Sequence, residues 1–313
     1  MIPKVPRAGA MAPEDVLRRL ELAVTHRLDG LLQGDYRGLV AGHGSESGET
    51  RRYVAGDDVR RIDWNVTARM QQPHIRETIA DRELETWLLV DLSPSLDFGT
   101  ALCTKRDLAV AAAGAVAFLA GRSGNRVGLH LVTGEGVATV PARSGQLHVR
   151  ALMHRLLTAP RRDGGGPEQL ASGMARLAGP SSRRGLAVVI SDFLGDQAWE
   201  PALRIVASRH ETLAIEVLDP RELDLPDVGL LAVVDPETGA TRRVRTSDAG
   251  LRRRYAEAAR AQRADVAAGL RRARADHLVL RTDRDWLLDL VRFVALRRRR
   301  IDHMRRATAG AGQ

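Results

Sequence analysis

The sequence predicts an α/β fold: a doubly wound, mostly parallel sheet flanked by helices. Two observations carry this prediction. Short apolar segments that suit buried strands alternate with longer segments of helical spacing, and that alternation favours a parallel sheet covered on both faces. Two of the apolar segments run into an aspartate, Asp91 and Asp192. Both carboxylates are therefore expected at the carboxyl edge of the sheet, where ligands of such folds bind.

The first predicted helix begins at Pro13, carries acidic residues in its first turn and keeps apolar residues at helical spacing as far as Leu32. The Gly/Ser-rich residues 42–49 are expected to form a surface loop. Residues 53–77 mix charged and aromatic side chains without a helical period. We therefore assign this helix and a small β-containing subdomain to residues 1–84.

From residue 85 onwards the alternation of strands and helices is regular. The strands are short and apolar, and the helices are richer in alanine, leucine and arginine. The predicted strands are 86–91, 126–133, 136–141, 185–191, 211–218 and 277–280, with a hairpin over 230–246. The predicted helices are 105–122, 146–157, one that begins near 167, 200–209, 249–275 and 284–300.

These elements define the remaining parts of the chain. Residues 85–300 form the predicted α/β domain, with a hairpin insertion near 228–246. Residues 301–313 continue the arginine-rich end of the last helix and are expected to be a basic, flexible tail.

The composition is that of a soluble globular protein, with 44% hydrophobic and 28% charged residues. The single cysteine, Cys103, excludes an intramolecular disulfide and a cysteine-based zinc cluster. No apolar signal segment or bilayer-length apolar run is present, so we expect a cytoplasmic protein without membrane insertion. The net charge is +9, and Lys4 and Lys105 are the only lysines among 48 basic residues. Since no aromatic stacking stripe or helix-turn-helix pattern accompanies the arginines, nucleic acid is not an expected partner.

The loop Asp91-Leu92-Ser93-Pro94-Ser95 is the first candidate for chemistry. Oxygen-bearing side chains on alternate residues after a strand can face one side of a tight loop, and Mg²⁺ or Mn²⁺ prefers such oxygen ligands. Asp192 would add a second carboxylate. The alternative is that Asp91 and Ser93 cap the helix that follows, and spacing alone does not choose between the two interpretations.

Two groups of residues carry a family resemblance. The Asp-x-Ser-x-Ser loop resembles the metal-ion-dependent adhesion site of von Willebrand factor A domains. Residues 53–69, YVAGDDVRRIDWNVTAR, together with His74 and the segments SDF (191–193) and LDPRELDLPDVGLL (218–231), resemble the signature of the DUF58 family. The resemblance implies a small N-terminal β subdomain joined to a von Willebrand factor A-like domain. It also implies a metal site formed by Asp91, Ser93, Ser95 and Asp192.

One position departs from the family pattern. The resemblance leads us to expect a threonine before the third helix of the domain that completes the metal site, but the corresponding residues here read Gly-Gly-Gly-Pro-Glu over 164–168. Pro167 has no hydroxyl group to offer. Glu168 could complete the site instead, directly or through a water molecule, and a degenerate site without metal is the alternative.

The signature residues also suggest a structural role. Its charged side chains are numerous enough for an ion-pair network that fixes the small subdomain to the larger domain, and Trp64 would be the apolar anchor of that junction. The residues assigned to this junction are Asp57, Asp58, Arg60, Arg61, Asp63, Trp64 and Arg69.

The resemblance implies a non-enzymatic protein-interaction module. DUF58 proteins are associated with MoxR-type AAA+ ATPases, so the expected role is an adaptor between such an ATPase and a client protein in chaperone-like activation or assembly. The alternative is a metal-dependent phosphoester hydrolase or a polyanion-binding protein. The sequence offers no nucleophile elbow and no Walker A motif, which counts against an enzyme.

Overall fold

The computed structural model describes residues 12–32, 50–54, 57–59, 62–76, 85–122, 124–161, 167–179, 184–234 and 239–310. The chain forms two compact units, Ala41–Glu83 and the remainder (Met1–Val40 with Leu84–Gln313). The strands are β1 Thr50–Arg52, β2 His74–Arg76, β3 Glu85–Asp91, β4 Arg126–Thr133, β5 Gly136–Arg143, β6 Gly185–Ser191, β7 Glu211–Leu218, β8 Leu230–Val234, β9 Thr241–Arg245 and β10 Asp276–Arg281. The helices are α1 Pro13–Leu32, α2 Trp64–Met70, α3 Lys105–Arg122, α4 Gln146–Leu157, α5 Pro167–Leu177, α6 Trp199–Arg209, α7 Ala249–Arg272 and α8 Trp286–Gly310.

The large unit is built on a six-stranded sheet in the order β10-β7-β6-β3-β4-β5. All neighbouring strands are parallel except β4 and β5, which form an antiparallel pair. The predicted α/β fold with a doubly wound, mostly parallel sheet is therefore confirmed. The predicted hairpin is also present, as a separate two-stranded sheet of β8 and β9.

Helices cover both faces of this sheet. Alternate residues of β3 supply the two cores: Leu88 and Val90 pack on the face covered by α1, α3, α4 and α8, whereas Trp87 and Leu89 pack on the face of α5, α6 and α7. This alternation is the period of two expected for a strand buried on both sides. The fully buried β3 is consequently held at the centre of the domain.

Helix α3 is buried over nearly its whole length. Its small side chains let neighbouring helices approach closely: a Cβ atom added at Gly114 would lie 2.5 Å from Leu20 Cδ2 of α1 and 2.9 Å from Met153 Cε of α4. Helix α1 therefore belongs to the large unit, whereas the sequence analysis grouped it with the β subdomain. Its apolar stripe showed that it packs, but not against which part of the chain.

The end of helix α8 also differs from the prediction. We expected a helix end at residue 300 and a flexible tail, but α8 runs to Gly310. Residues 301–309 contain neither glycine nor proline, and they include two arginines, two alanines and a methionine, which favour helix continuation.

The small unit contains the antiparallel pair β1 and β2 and the short helix α2. Asp63 caps α2, because its Oδ1 accepts hydrogen bonds from the Asn65 and Val66 amides at 3.1 and 3.3 Å. Asp57 Oδ2 accepts a hydrogen bond from the Val54 amide at 2.9 Å. Trp64, the predicted apolar anchor, is 70% exposed.

The other residues of the predicted junction do not test the ion-pair network that we expected between the small subdomain and the larger domain. Asp58 and Arg69 are exposed, and Arg60 and Arg61 lie outside the described residues. The ion-pair network between the small subdomain and the larger domain therefore stays a prediction.

Candidate functional site

The two strand-end aspartates meet where the winding of the sheet reverses. From β3 the chain proceeds to β4 and β5 on one side, and β6, β7 and β10 follow on the other. Strands β3 and β6 are parallel neighbours with Val90 opposite Ile190. Asp91 ends β3 and Asp192 directly follows β6, so both carboxylates lie at the switch point. This is the position at which doubly wound sheets bind ligands.

The Asp91 loop presents its hydroxyl groups to one another. Asp91 Oδ1 accepts a hydrogen bond from the Ser93 amide at 2.9 Å, and Ser93 Oγ lies 3.2 Å from Ser95 Oγ. Ser93 precedes a single 3₁₀ turn, Pro94–Asp97, but its side chain makes no capping hydrogen bond. The helix-capping interpretation is therefore wrong for Ser93, whose hydroxyl faces the site.

Asp91 is a buried carboxylate without a cationic partner among the described residues. Its Oδ2 accepts a hydrogen bond from Ser191 Oγ at 2.7 Å, and its side chain is 5% exposed. Burial raises the pKa of Asp91 to about 6, with repulsion from Asp192 adding to the effect and hydrogen bonds from Ser191 and Ser93 opposing it. Its negative charge is therefore poorly compensated.

Asp192 has the opposite electrostatic environment. Its Oδ2 accepts a hydrogen bond from Lys105 Nζ at 2.7 Å and its Oδ1 accepts one from the Leu194 amide at 3.1 Å. Burial alone would raise the pKa of Asp192, but the Lys105 ammonium outweighs it, helped by the Leu194 amide and the Ser95 hydroxyl, and the pKa is lowered. The two aspartates thus share one site but not one counter-ion.

Lys105 is the residue that the sequence analysis missed. It begins α3, is fully buried, and reaches a second carboxylate, Glu222 Oε1, at 2.5 Å. Burial alone would lower the pKa of Lys105, but Asp192 and Glu222 outweigh it and the pKa is raised. The available signal was the scarcity of lysine: Lys105 is one of two lysines in an arginine-rich chain, and a lysine there suggests a position that suits a compact ammonium better than a planar guanidinium.

Glu222 is positioned by the turn that follows β7. Asp219 and Glu222 form a reciprocal capping box around the short 3₁₀ turn Pro220–Glu222. Asp219 is fully buried and accepts hydrogen bonds from Thr100 Oγ1 at 2.6 Å, Thr282 Oγ1 at 2.7 Å and the Thr100 and Arg221 amides. The segment 218–231 singled out in the sequence therefore ties three loops together beside the site.

The loop after β6 is held by contacts with helices α6 and α7. Arg263 Nη1 of α7 donates to the Asp192 carbonyl oxygen at 3.0 Å and to Glu216 Oε1 at 2.8 Å. Phe193 adopts a positive φ of 52°, which is unusual for a residue with a side chain, and its ring packs edge-on against Trp199 at a centroid distance of 5.2 Å. These contacts hold the backbone at Asp192 and Phe193 in place.

Comparison with known proteins identifies the family. The family described as "Protein of unknown function DUF58" matches residues 49–265. The chain belongs to the DUF58 family. This DUF58 protein is 55% identical over 283 residues to the uncharacterized proteins Rv1480 of Mycobacterium tuberculosis and Mb1516 of Mycobacterium bovis, covering 90% of this chain and 89% of each relative.

Solved structures give a more distant likeness. BatB from Bacteroides thetaiotaomicron is 12% identical with a TM-score of 0.44, covering 68% of this DUF58 protein and 98% of that chain. A von Willebrand factor type A protein from Catenulispora acidiphila is 13% identical with a TM-score of 0.32, covering 46% of this DUF58 protein and 34% of that chain. The Asp-x-Ser-x-Ser loop lies at the switch point of the mostly parallel sheet, at the carboxyl edge where the sequence analysis expected it.

The oxygen-rich site of this DUF58 protein suits a hard divalent cation. Across the described residues, no three His, Cys, Asp or Glu side chains are grouped as a metal centre, so a cation here would also need hydroxyl ligands. Asp91, Ser93, Ser95 and Asp192 provide two carboxylates and two hydroxyls within one hydrogen-bonded cluster. With Glu222 counted, the site contains three carboxylates and one ammonium, which pairs with Asp192 and Glu222, and these groups have a formal charge of −2. A divalent cation would neutralise that charge.

Glu168 is the predicted site-completing residue. Glu168 lies in the first turn of α5 with an exposed side chain, and none of its described contacts reaches Asp91 or Asp192. Residues 162–166 and the Pro167 side chain lie outside what the structure describes. The completing role of Glu168 therefore stays a prediction. Separately, no helix in the described part of the chain is both long and apolar enough to cross a bilayer.

Proposed function

We propose that this DUF58 protein is a non-enzymatic protein-interaction module that binds a partner carboxylate through a divalent cation, Mg²⁺ or Mn²⁺, held by Asp91, Ser93, Ser95 and Asp192. The observation that carries the proposal is the buried, uncompensated carboxylate of Asp91 beside two convergent hydroxyls. When bound, the cation would supply an open coordination position for an acidic side chain. The protein's own residues would orient the cation and limit its access to water.

The first test measures cation binding. Calorimetric titration of the full chain with Mn²⁺ should give binding that is at least tenfold weaker in Asp91→Ala. Asp97→Asn is a matched control, because Asp97 lies in the 3₁₀ turn that also contains Ser95 but pairs with Arg106 and Arg161. An unmutated chain that gives no binding heat would contradict the metal site, as would equal weakening by both substitutions.

The wider role that we propose is that of an adaptor between a MoxR-type AAA+ ATPase and a client protein. Family resemblance supports this part, and the position of the site at the switch point agrees with a contact centre. An affinity-tagged chain should capture such an ATPase, and Asp91→Ala should reduce the capture while Asp97→Asn does not. This design leaves the Mg²⁺ concentration unchanged, so the ATPase keeps its nucleotide. Equal capture by the unmutated chain and Asp91→Ala would separate the ATPase contact from the site.

The alternative functions draw no support from the described geometry. The polar groups that surround the two aspartates are the hydroxyls of Ser93, Ser95 and Ser191 and an ammonium already paired with two carboxylates. None of these is arranged as a general base, and the excess negative charge would repel a polyanion at this site. Turnover of a generic phosphoester that depends on Asp91 would revive the hydrolase.

A further inference from the structure

We infer that Lys105 sets the cation affinity of the site, because its ammonium takes up charge on Asp192 and Glu222 that would otherwise attract a divalent cation. This inference rests on the proposed function, since it concerns the same cation. It goes further by assigning a tuning role to a side chain outside the Asp-x-Ser-x-Ser loop.

The geometry fixes the ammonium between its two partners. Lys105 Nζ lies 2.7 Å from Asp192 Oδ2 and 2.5 Å from Glu222 Oε1, and 1% of its side chain is exposed. The two carboxylates come from different elements, the end of β6 and the turn after β7. If the ammonium moved away, the buried Asp192 and the partly buried Glu222 would both lose this ion pair.

Asp192 connects the ammonium to the proposed cation position. Asp192 follows β6 beside the end of β3, where Asp91 lies. The Ser95 hydroxyl of the Asp91 loop helps to lower the pKa of Asp192, and the charge of Asp192 helps to raise the pKa of Asp91. Any positive charge at Asp91 therefore shares Asp192 with Lys105 and is repelled by the ammonium. In a buried site with little water to screen it, such repulsion is strong. The expected consequence is a weaker, more readily exchanged cation than the carboxylates alone would hold.

The alternative is that Lys105 only stabilises the fold, and two substitutions separate the explanations by the direction of their effects. Lys105→Met removes the competing charge and should tighten Mn²⁺ binding at least tenfold. Glu222→Gln removes one of the two carboxylates that pair with Lys105, so the ammonium then pairs with Asp192 alone. The substitution adds no cation ligand, and it should therefore weaken Mn²⁺ binding severalfold. A merely structural lysine would not move the affinity in opposite directions.

Arg297→Met is the matched control. Arg297 is also buried and also bridges two carboxylates, Asp276 Oδ2 at 2.8 Å and Glu211 Oε1 at 2.6 Å. Its partners are the first residues of β10 and β7, at the opposite edge of the sheet from the site. The substitution should lower Tm in chelator, as Lys105→Met does, without changing the dissociation constant for Mn²⁺.

The outcomes distinguish this inference from the proposed function. Binding by the unmutated chain with no tightening in Lys105→Met overturns the inference alone. Binding only in Lys105→Met supports the inference but overturns a metal-dependent role for the natural protein. No binding in any form overturns both. If Lys105→Met does not fold in chelator, Glu222→Gln decides: unchanged or tighter binding overturns the inference.

Discussion

The two edges of the central sheet both contain buried cations, but their carboxylates differ in exposure. At the amino edge, Arg297 pairs with Glu211 and Asp276, whose side chains are 39% and 25% exposed. At the carboxyl edge, Lys105 pairs with Asp192 and Glu222, whose side chains are 3% and 14% exposed. Asp91 lies there too, buried and without a cationic partner among the residues that the structure describes.

This difference is the one expected between an ion pair that only stabilises the fold and an ion pair that belongs to a binding site. Water can solvate the carboxylates at the amino edge, so one guanidinium suffices to hold the ends of β7 and β10 to α8. The carboxyl edge concentrates negative charge in a place that water hardly reaches, which is unfavourable for the fold alone. Sites that sacrifice stability in this way are commonly the ones that bind a ligand.

The largest expected effect tests the amino edge. Arg297→Met removes two hydrogen bonds between charged groups, each worth about 1.5 kcal/mol, so we expect a loss of about 3 kcal/mol in the free energy of unfolding. Urea unfolding at pH 7 should show this loss as a lower midpoint with an unchanged slope. Added Mn²⁺ should not restore it. A loss well below 1 kcal/mol would show that the amino edge does not depend on this pair.

A second prediction concerns a carboxylate that needs no cation. Burial alone would raise the pKa of Asp219, but hydrogen bonds from Thr100, the Arg221 amide and Thr282 outweigh it and lower the pKa below its usual value of 3.8. Asp219→Asn should cost about 2 kcal/mol at pH 7, since hydrogen bonds to a charged acceptor are lost.

The pH dependence of that cost follows from the lowered pKa. Stabilisation by Asp219 is fully present above the ordinary carboxyl pKa and is lost as the pH falls through the lower, folded-state pKa. The difference in unfolding free energy between the unmutated chain and Asp219→Asn should therefore stay constant from pH 7 to 5 and shrink below pH 4. A difference that grows towards pH 3 would contradict the assignment.

The sequence predicted the parts of the site that depend on local order. Asp91, Ser93, Ser95 and Asp192 follow recognisable strands, so their common edge could be read from periodicity before any contact was known. The orientation of the Ser93 hydroxyl could not be predicted from the sequence. A helix cap and a cation ligand can have the same sequence spacing after a strand. Strand and helix bounds such as those of α3 and β4 matched the prediction, because each is delimited by a change in apolar pattern.

The remaining parts depend on contacts between distant segments. Lys105 meets Asp192 across 87 residues and Glu222 across 117, and no local pattern encodes that meeting. The first residue of α3 has to lie beside both the loop after β6 and the turn after β7. The packing of α1 on the large unit has the same origin, since Leu20 fits the gap left by Gly114.

The smallest expected effect tests the excess charge at the carboxyl edge. Asp91→Asn keeps an acceptor for the Ser93 amide and can donate to Ser191, while removing a buried charge that faces Asp192. In chelator at pH 8 it should therefore raise the unfolding free energy by about 1 kcal/mol and abolish stabilisation by Mn²⁺. Asp192→Asn, which takes a partner from Lys105, should instead destabilise the chain under the same conditions. Destabilisation by both substitutions would mean that Asp91 holds the fold together, and that the two edges of the sheet are built on the same principle.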